Sequence, residues 1–109
     1  MSKDMSEQRT NWIITEDKLS ATLTSVSIKS RVGTTGPSDG ILTAEEIKTH
    51  PDRIQFKMYD DDGNYYYGGF MVLGDEGDEF GPLDDFGGPD AGASEIRIKN
   101  KKTGKWEVV

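Results

Sequence analysis

The sequence contains no cysteine and only one histidine, His50. It therefore cannot form a disulfide, a thiol nucleophile or a cysteine-based zinc site, and metal motifs that need two histidines are excluded. A Ser-His-Asp triad would have to use His50, which precedes Pro51 at a predicted helix end. A protonated imidazole there interacts favourably with the helix dipole, so we interpret His50 as structural.

Large apolar side chains are also scarce. Leu, Ile, Val and Phe together make up 22 of the 109 residues, close to the limit of about 20% below which highly charged chains tend to be disordered. Trp, Tyr and Phe add large buried areas for each side chain. No apolar run approaches the roughly 20 residues of a membrane span, and residues 1–10 lack a signal-peptide core. We expect a cytoplasmic, non-membrane protein with a disordered tail at 1–10 and one domain at 11–109.

Positive charge is missing from one segment of the chain. Residues 60–90 contain ten acidic side chains and no Lys, Arg or His, and nine of the 13 glycines lie between Gly63 and Gly92. The other residues carry ten acidic and thirteen basic side chains, a net charge of +3 beside the −10 of this segment. The overall acidity argues against binding to nucleic acid and favours a basic protein surface as the partner.

Hydrophobic alternation predicts an α+β, mostly β fold. Residues 53–59 alternate apolar and polar, residues 60–64 have turn chemistry, and residues 65–73 resume a strand, which predicts a β-hairpin at 53–73. A second hairpin is predicted at 95–109. N-terminal strands at 11–15 and 19–32 would complete a small antiparallel sheet.

Side-chain directions follow from the same alternation. In the first hairpin, Ile54, Phe56 and Met58 are expected on the inner face. In the second hairpin we expect Trp106 and Val108 on the inner face as well, beside the isoleucines of residues 96 and 98.

The sequence Thr43-Ala44-Glu45-Glu46 is a capping box. The Thr hydroxyl can accept the N3 amide while the N3 glutamate accepts the amide of the threonine. It predicts a short helix at 43–50 that ends before Pro51. A long acidic, glycine-rich loop is predicted at 74–94, where Phe80, Leu83 and Phe86 are spaced to anchor it to the domain.

The acidic residues and nearby tyrosines form the candidate binding surface. Tyr65 and Tyr67 should share one face of a strand, and tyrosine gives contact area at low entropy cost. We predict a non-catalytic binding or regulatory module that needs no cofactor and uses this surface to engage a basic protein. Its candidate residues are Asp60, Asp61, Asp62, Tyr65, Tyr67, Asp75, Glu76, Asp78, Glu79, Asp84 and Asp85.

Calcium binding by residues 74–92 is the alternative function. Calcium prefers six to eight oxygen ligands, and a glycine-rich backbone lets carbonyl groups contribute. No frame of the sequence fits an EF-hand loop. The candidate ligands are Asp75, Asp78, Glu79, Asp84 and Asp85. A small acid–base enzyme is less favoured, because so short a chain leaves little room for a cleft with a desolvated carboxyl group. A carbohydrate-binding module is also less favoured, because cross-strand pairing of the tyrosines within the hairpin explains them as well.

The second hairpin carries a group of basic residues. A β-ribbon with lysines and an aromatic residue can contact a phosphate backbone. Lysines at a solvent-facing turn or on an edge strand explain the pattern equally well. The residues are Arg97, Lys99, Lys101, Lys102, Lys105 and Trp106.

Overall fold

A computed structural model describes residues 10–18, 31–37, 42–74 and 77–109. These residues form a six-stranded antiparallel sheet with the strand order β2-β1-β4-β3-β5-β6. The helices of this part of the chain are all too short and too polar to reach across a lipid bilayer. The predicted α+β, mostly β fold is confirmed. The strands are β1 (Asn11–Asp17), β2 (Thr35–Gly36), β3 (Ile54–Tyr59), β4 (Tyr65–Val72), β5 (Glu95–Lys99) and β6 (Trp106–Val108).

Both predicted hairpins are present. β3 pairs with β4 across the turn at residues 60–64, and β5 pairs with β6 across residues 100–105. The alternation in β3 buries Phe56 and Met58 completely, on the face that was predicted to be inner. The N-terminal strand predicted at 11–15 is β1, whereas residues 19–30 of the second predicted strand lie outside the described residues.

The short helix α1 (Ala44–Thr49) begins at the predicted capping box. The Glu46 amide donates to Thr43 Oγ1 at 3.2 Å, and the Thr43 amide donates to Glu46 Oε1 at 2.8 Å. His50 leaves the helical conformation just before Pro51, which cannot continue the helix. Ile47 is buried where α1 packs against β1 and β4.

The segment between β4 and β5 is not the structureless loop that we predicted for residues 74–94. It contains a π-helical turn, Leu83–Gly87, followed by α2 (Gly88–Ala91). β4 ends at one end of the sheet, whereas Glu95 at the start of β5 lies opposite Tyr59 at the other end. The connection must therefore cross the sheet, and it gains apolar contacts along the way by coiling.

One face of the sheet, the core face, packs beneath this crossover. Phe86 anchors the crossover, with its ring centroid 5.4 Å from that of Trp12 and 4.9 Å from that of Tyr67. Leu83 packs against the same cluster, whereas Phe80 is 41% exposed and is not an anchor. The buried residues of the cluster are Trp12, Ile14, Phe56, Met58, Tyr67, Met71, Phe86, Ala93 and Ile96.

The predicted inner positions of Trp106 and Val108 are wrong. Residues 101–104 form the turn, so Asn100 pairs with Lys105, and Lys99 then lies opposite Trp106. Residues directly opposite each other point to the same face, and a shift of one residue reverses the faces. Trp106 therefore lies on the face opposite to the core with Lys99, and Val108 is 62% exposed.

Thr10, which was predicted to belong to the disordered tail, is buried and hydrogen-bonded. Thr10 is 2% exposed, its hydroxyl donates to the Asp78 carbonyl oxygen at 2.6 Å, and it accepts from the Gly74 amide at 3.1 Å. These hydrogen bonds attach the start of β1 to the beginning of the crossover. Thr10 therefore belongs to the domain, and residues 1–9 lie outside the described residues.

Candidate binding surfaces

The described acidic residues of the candidate surface do not lie together: two groups lie beyond opposite ends of β4, and Asp84 and Asp85 lie in the crossover. Asp60, Asp61 and Asp62 follow β3 at one end, and Asp78 and Glu79 follow β4 beyond the other end. β4 has eight residues, so these ends are separated by about 23 Å at a rise of about 3.3 Å per residue. These two groups of carboxylates are therefore not adjacent on the surface. Asp75 and Glu76 lie outside the described residues.

Asp60 closes the turn of the first hairpin. Its Oδ1 accepts the amides of Asp62 at 2.9 Å and Asn64 at 2.8 Å. Its Oδ2 accepts Asn64 Nδ2 at 2.9 Å and the Tyr66 hydroxyl at 3.2 Å. These hydrogen bonds, that from the Asn64 side chain foremost, hold the pKa of Asp60 below its usual value. The hydrogen bond that the Tyr66 hydroxyl donates to Asp60 raises the pKa of that hydroxyl.

Asp61 and Asp62 are exposed at this turn. Asp61 accepts a hydrogen bond from the Ser94 hydroxyl, which connects the turn to the start of β5. We name residues 60–62 the acidic tip. Asp60 fixes its backbone, and the two following carboxylates project from it.

The two acids of the π-helical turn, Asp84 and Asp85, differ in their surroundings. Asp84 is exposed, whereas Asp85 is half-buried and its Oδ2 accepts from Trp12 Nε1 at 3.1 Å. This contact satisfies the indole of a buried tryptophan and helps to hold the crossover on the sheet. Asp85 also lines a cleft of about 360 Å³ beside β2, together with Trp12 and Phe86. We assign Asp85 a structural role.

The described residues do not bring metal ligands together. No group of three or more His, Asp or Glu side chains in this part of the chain could hold a metal ion. Four of the five candidate calcium ligands are described, namely Asp78, Glu79, Asp84 and Asp85, and the fifth, Asp75, is not. Calcium binding that involves Asp75 stays an untested prediction.

Tyr65 and Tyr67 do not share a face as predicted. The register of β3 and β4 shifts by one residue, so Tyr67 lies opposite Met58 whereas Tyr65 lies opposite Tyr59. Tyr67 is 2% exposed in the core and is removed from the candidate surface. A β-bulge of this kind adds one residue to one strand and reverses the alternation beyond it. Sequence alternation alone does not place such a bulge.

Tyr65 lies instead on the opposite face of the sheet. Its ring centroid is 5.4 Å from that of Tyr59, and its hydroxyl donates to Glu16. Burial is the main cause of a raised pKa of Tyr65, and the hydrogen bond to Glu16 adds to it. The tyrosine is thus held in its neutral form in an aromatic and charged environment.

Cations and aromatic rings alternate on this opposite face over strands β3–β6. Lys57 Nζ lies 4.6 Å from the Trp106 ring centroid and 5.2 Å from that of Tyr65. The Arg97 guanidinium carbon lies 4.4 Å from the Tyr59 ring centroid, and Arg97 also pairs with Glu95. We name this set the aromatic stripe: Lys57, Tyr59, Tyr65, Arg97 and Trp106. All five side chains are half-buried.

A groove adjoins the aromatic stripe near the start of β3. It has a volume of about 410 Å³ and contains three cations and no acidic side chain. We name it the basic groove. Its lining residues are Pro51, Arg53, Gln55, Phe70, Lys99, Asn100, Lys101 and Gly104.

Two of the groove's cations are positioned by the backbone. Arg53 Nη1 donates to the His50 carbonyl oxygen at 2.9 Å while its guanidinium carbon lies 5.6 Å from the Phe70 ring centroid. Lys101 Nζ donates to the Pro51 carbonyl oxygen at 3.1 Å. Each cation retains further N–H donors, since guanidinium has five and ammonium three.

Sequence reasoning missed the groove as a site. The lysines of the second hairpin were visible as a basic group, but Arg53, Gln55 and Phe70 come from β3 and β4. Only the register of the sheet brings them beside Lys99. The sequence signal that could have indicated this site was the set of polar positions in β3. A strand at the centre of the sheet presents these side chains together on one face.

Comparisons with known proteins provide no relative. No family model, curated protein or solved structure matches this chain. A functional assignment therefore depends on the surfaces described above.

Proposed function

We propose that the protein is a non-catalytic binding module of the cytoplasm, in which the acidic tip engages a basic surface of a protein partner. The proposal is supported by one arrangement above all. Asp60 uses its carboxylate to fix the turn, and this leaves the exposed side chains of Asp61 and Asp62 projecting from a defined backbone. The proposed binding requires no cofactor.

Preorganisation of the turn favours binding. A rigid turn loses little conformational freedom when it is bound, so more of the contact energy appears as affinity. Four hydrogen bonds to the Asp60 carboxylate restrict this turn. Ser94 adds a contact between the tip and β5.

Charge at the tip also favours rapid association. No Lys, Arg or His occurs between Asp60 and Asp90, and the ion pairs found among the described residues involve other carboxylates. Complementary charge steers the encounter of two proteins, and this effect weakens as salt screens it. We expect the tip to determine the association rate and its salt dependence.

The test compares three immobilised forms of the protein in a lysate of its source cell. They are the wild type, Asp61→Asn/Asp62→Asn at the tip, and the matched control Asp52→Asn/Glu107→Gln. The control removes the same charge from two exposed positions outside the acidic segment. A partner should be retained by the wild type and the control and lost by the tip variant.

Purified partner then gives the decisive rate measurement. The tip variant should lower the association rate severalfold at low salt, with little effect at high salt. Equal association rates for all three forms would contradict the assignment of the acidic tip as the binding surface.

A further inference from the structure

We propose that the basic groove and the aromatic stripe form a second binding site, which takes single-stranded nucleic acid. The groove of this site lies near the start of β3, whereas the acidic tip follows the end of β3, and the stripe extends between them. The site uses residues other than those of the acidic tip and does not depend on the function proposed above. Phosphates would contact the cations of the groove, and bases would stack on the aromatic rings of the sheet.

The charges of the protein are segregated, so its net charge does not describe this surface. The formal charge is −7, yet Arg53, Lys99 and Lys101 line the groove and no acidic residue does. Local potential, not net charge, governs an encounter within about one Debye length, which is about 8–10 Å at physiological salt. The groove therefore favours an anionic ligand.

The groove offers more than charge. Phe70 provides a ring beside the Arg53 guanidinium, and the amides of Gln55 and Asn100 provide donors and acceptors. A nucleotide has these same parts: an anionic phosphate, a flat ring and hydrogen-bonding edges. The volume of about 410 Å³ lies in the range of small-ligand pockets, about 300–1,000 Å³.

The stripe continues from the groove along the sheet. Lys99 of the groove lies opposite Trp106, and Lys57 contacts the Trp106 ring. Gln55 and Lys57 point to the same face of β3, two residues apart. A chain that enters the groove therefore meets Trp106 next, then Tyr65 and Tyr59.

Interleaved cations and rings favour a single strand over other polyanions. Unpaired bases stack on aromatic side chains while the backbone follows a basic groove, and this mode needs no particular sequence. The bases of a duplex are already stacked on one another and cannot use the rings. An acidic polypeptide would use the cations and leave the aromatic rings without a matching partner.

The experiment measures fluorescence anisotropy of a labelled oligothymidylate of about 12 nucleotides, within the roughly 4–16 nucleotides typical of such sites. Oligouridylate of equal length, which has a 2′-hydroxyl group and lacks the thymine methyl group, should bind as well, because the proposed contacts are to phosphates and base faces. We expect saturable binding of a single strand and much weaker binding of a duplex. For three cations, log K should fall with log salt with a slope of about −2.

Two kinds of variant separate charge from stacking. Lys99→Gln/Lys101→Gln should reduce the salt slope to about −0.7, since one of three cations remains. Phe70→Leu and Trp106→Leu keep an apolar side chain and remove the ring, and each should weaken binding about tenfold. Inorganic polyphosphate and polyglutamate have no bases to stack, so each should bind both leucine variants with the same affinity as the wild type.

Matched controls test the location of the site. Lys18→Gln/Lys48→Gln removes two exposed cations from other parts of the fold and should bind like the wild type. Asp61→Asn/Asp62→Asn should not weaken oligonucleotide binding either, which keeps this site separate from the acidic tip. Thermal unfolding of each variant confirms that it is folded.

Tryptophan emission gives an independent readout. Stacking on Trp106 should quench the wild-type emission, whereas Trp106→Leu retains only the buried Trp12 and should show no change. The proposal is overturned by the absence of saturable binding, by equal binding of duplex, or by leucine variants that bind like the wild type. The last result would indicate an acidic-polypeptide site.

Discussion

Tyr65 and Tyr67 lie two residues apart in β4 and point to opposite faces of the sheet. Tyr67 packs in the core against Phe86, whereas Tyr65 contacts Lys57 on the aromatic stripe. Because of the bulge between them, Tyr67 is a core residue whereas Tyr65 lies on the opposite face. The bulge thereby also determines which of the two is available to a ligand.

This difference predicts unequal costs of truncation. Tyr67→Ala should lower the free energy of unfolding by about 3–5 kcal/mol, because it opens a cavity in the core. Tyr65→Ala removes a half-buried ring, its cation–π contact and the hydrogen bond to Glu16, and should cost about 1–2 kcal/mol. Urea denaturation of both variants measures the difference. Equal losses would contradict the assignment of the two side chains to opposite faces of the sheet.

Asp60 should make stability depend on pH in the acid range. Its pKa is lowered in the folded protein, so its stabilising effect is fully present above the unfolded value of about 4 and is lost as the pH falls through the folded pKa. Asp60→Asn should flatten the fall in the free energy of unfolding below about pH 4. Denaturation at a series of pH values measures this slope.

Asn64→Ala is the companion variant for Asp60. It keeps the carboxyl group and removes the side-chain hydrogen bond that contributes most to the lowered pKa. Its acid slope should lie between those of the wild type and Asp60→Asn. An unchanged slope in both variants would mean that Asp60 is not linked to acid stability.

The adjacent glycines of β4 should respond differently to a methyl group. At Gly69 the added carbon would overlap the backbone carbonyl of Ile13, which cannot move without opening the β1–β4 pairing. At Gly68 it would meet the Tyr65 hydroxyl, at the end of a side chain that can rotate. Gly69→Ala should therefore lower the free energy of unfolding by more than about 2 kcal/mol, and Gly68→Ala should lower it by about 1 kcal/mol.

A double-mutant cycle tests the contact at Gly68. Tyr65→Phe removes the hydroxyl that the new methyl group would meet, so Gly68→Ala should cost less in that background. Gly69→Ala should cost the same with or without Tyr65→Phe. Additive effects at Gly68 would argue that Tyr65 is not the residue that limits space there.

Sequence alternation predicted the strands well where burial is regular. Phe56 and Met58 of β3 lie on a core face that the pattern identifies directly, and the Thr43–Glu46 capping box is a local hydrogen-bond pattern that needs no distant residue. The hairpin turns follow from short-range chemistry in the same way. Such features depend on neighbours in sequence, so they can be inferred from it.

Features that depend on register were predicted less well. Trp106 was assigned to the wrong face because one residue of register reverses every side chain of a strand. The helical crossover at 83–91 was not predicted, because its glycines disfavour helix and its stability comes from packing of Phe86 on Trp12 and Tyr67. Arg53 and Lys99, 46 positions apart, meet in one groove only through the sheet.

The sequence by itself determined the strand-forming segments, the capped helix and the separation of an acidic segment from a basic remainder, because propensity, capping and charge are properties of neighbouring residues. Only the tertiary structure decided the distribution of these charges over the surface. Register and the bulge at Tyr65–Tyr67 placed Tyr67 in the core and collected the cations beside aromatic rings. The reason is physical: pairing between distant strands sets which side chains share a face.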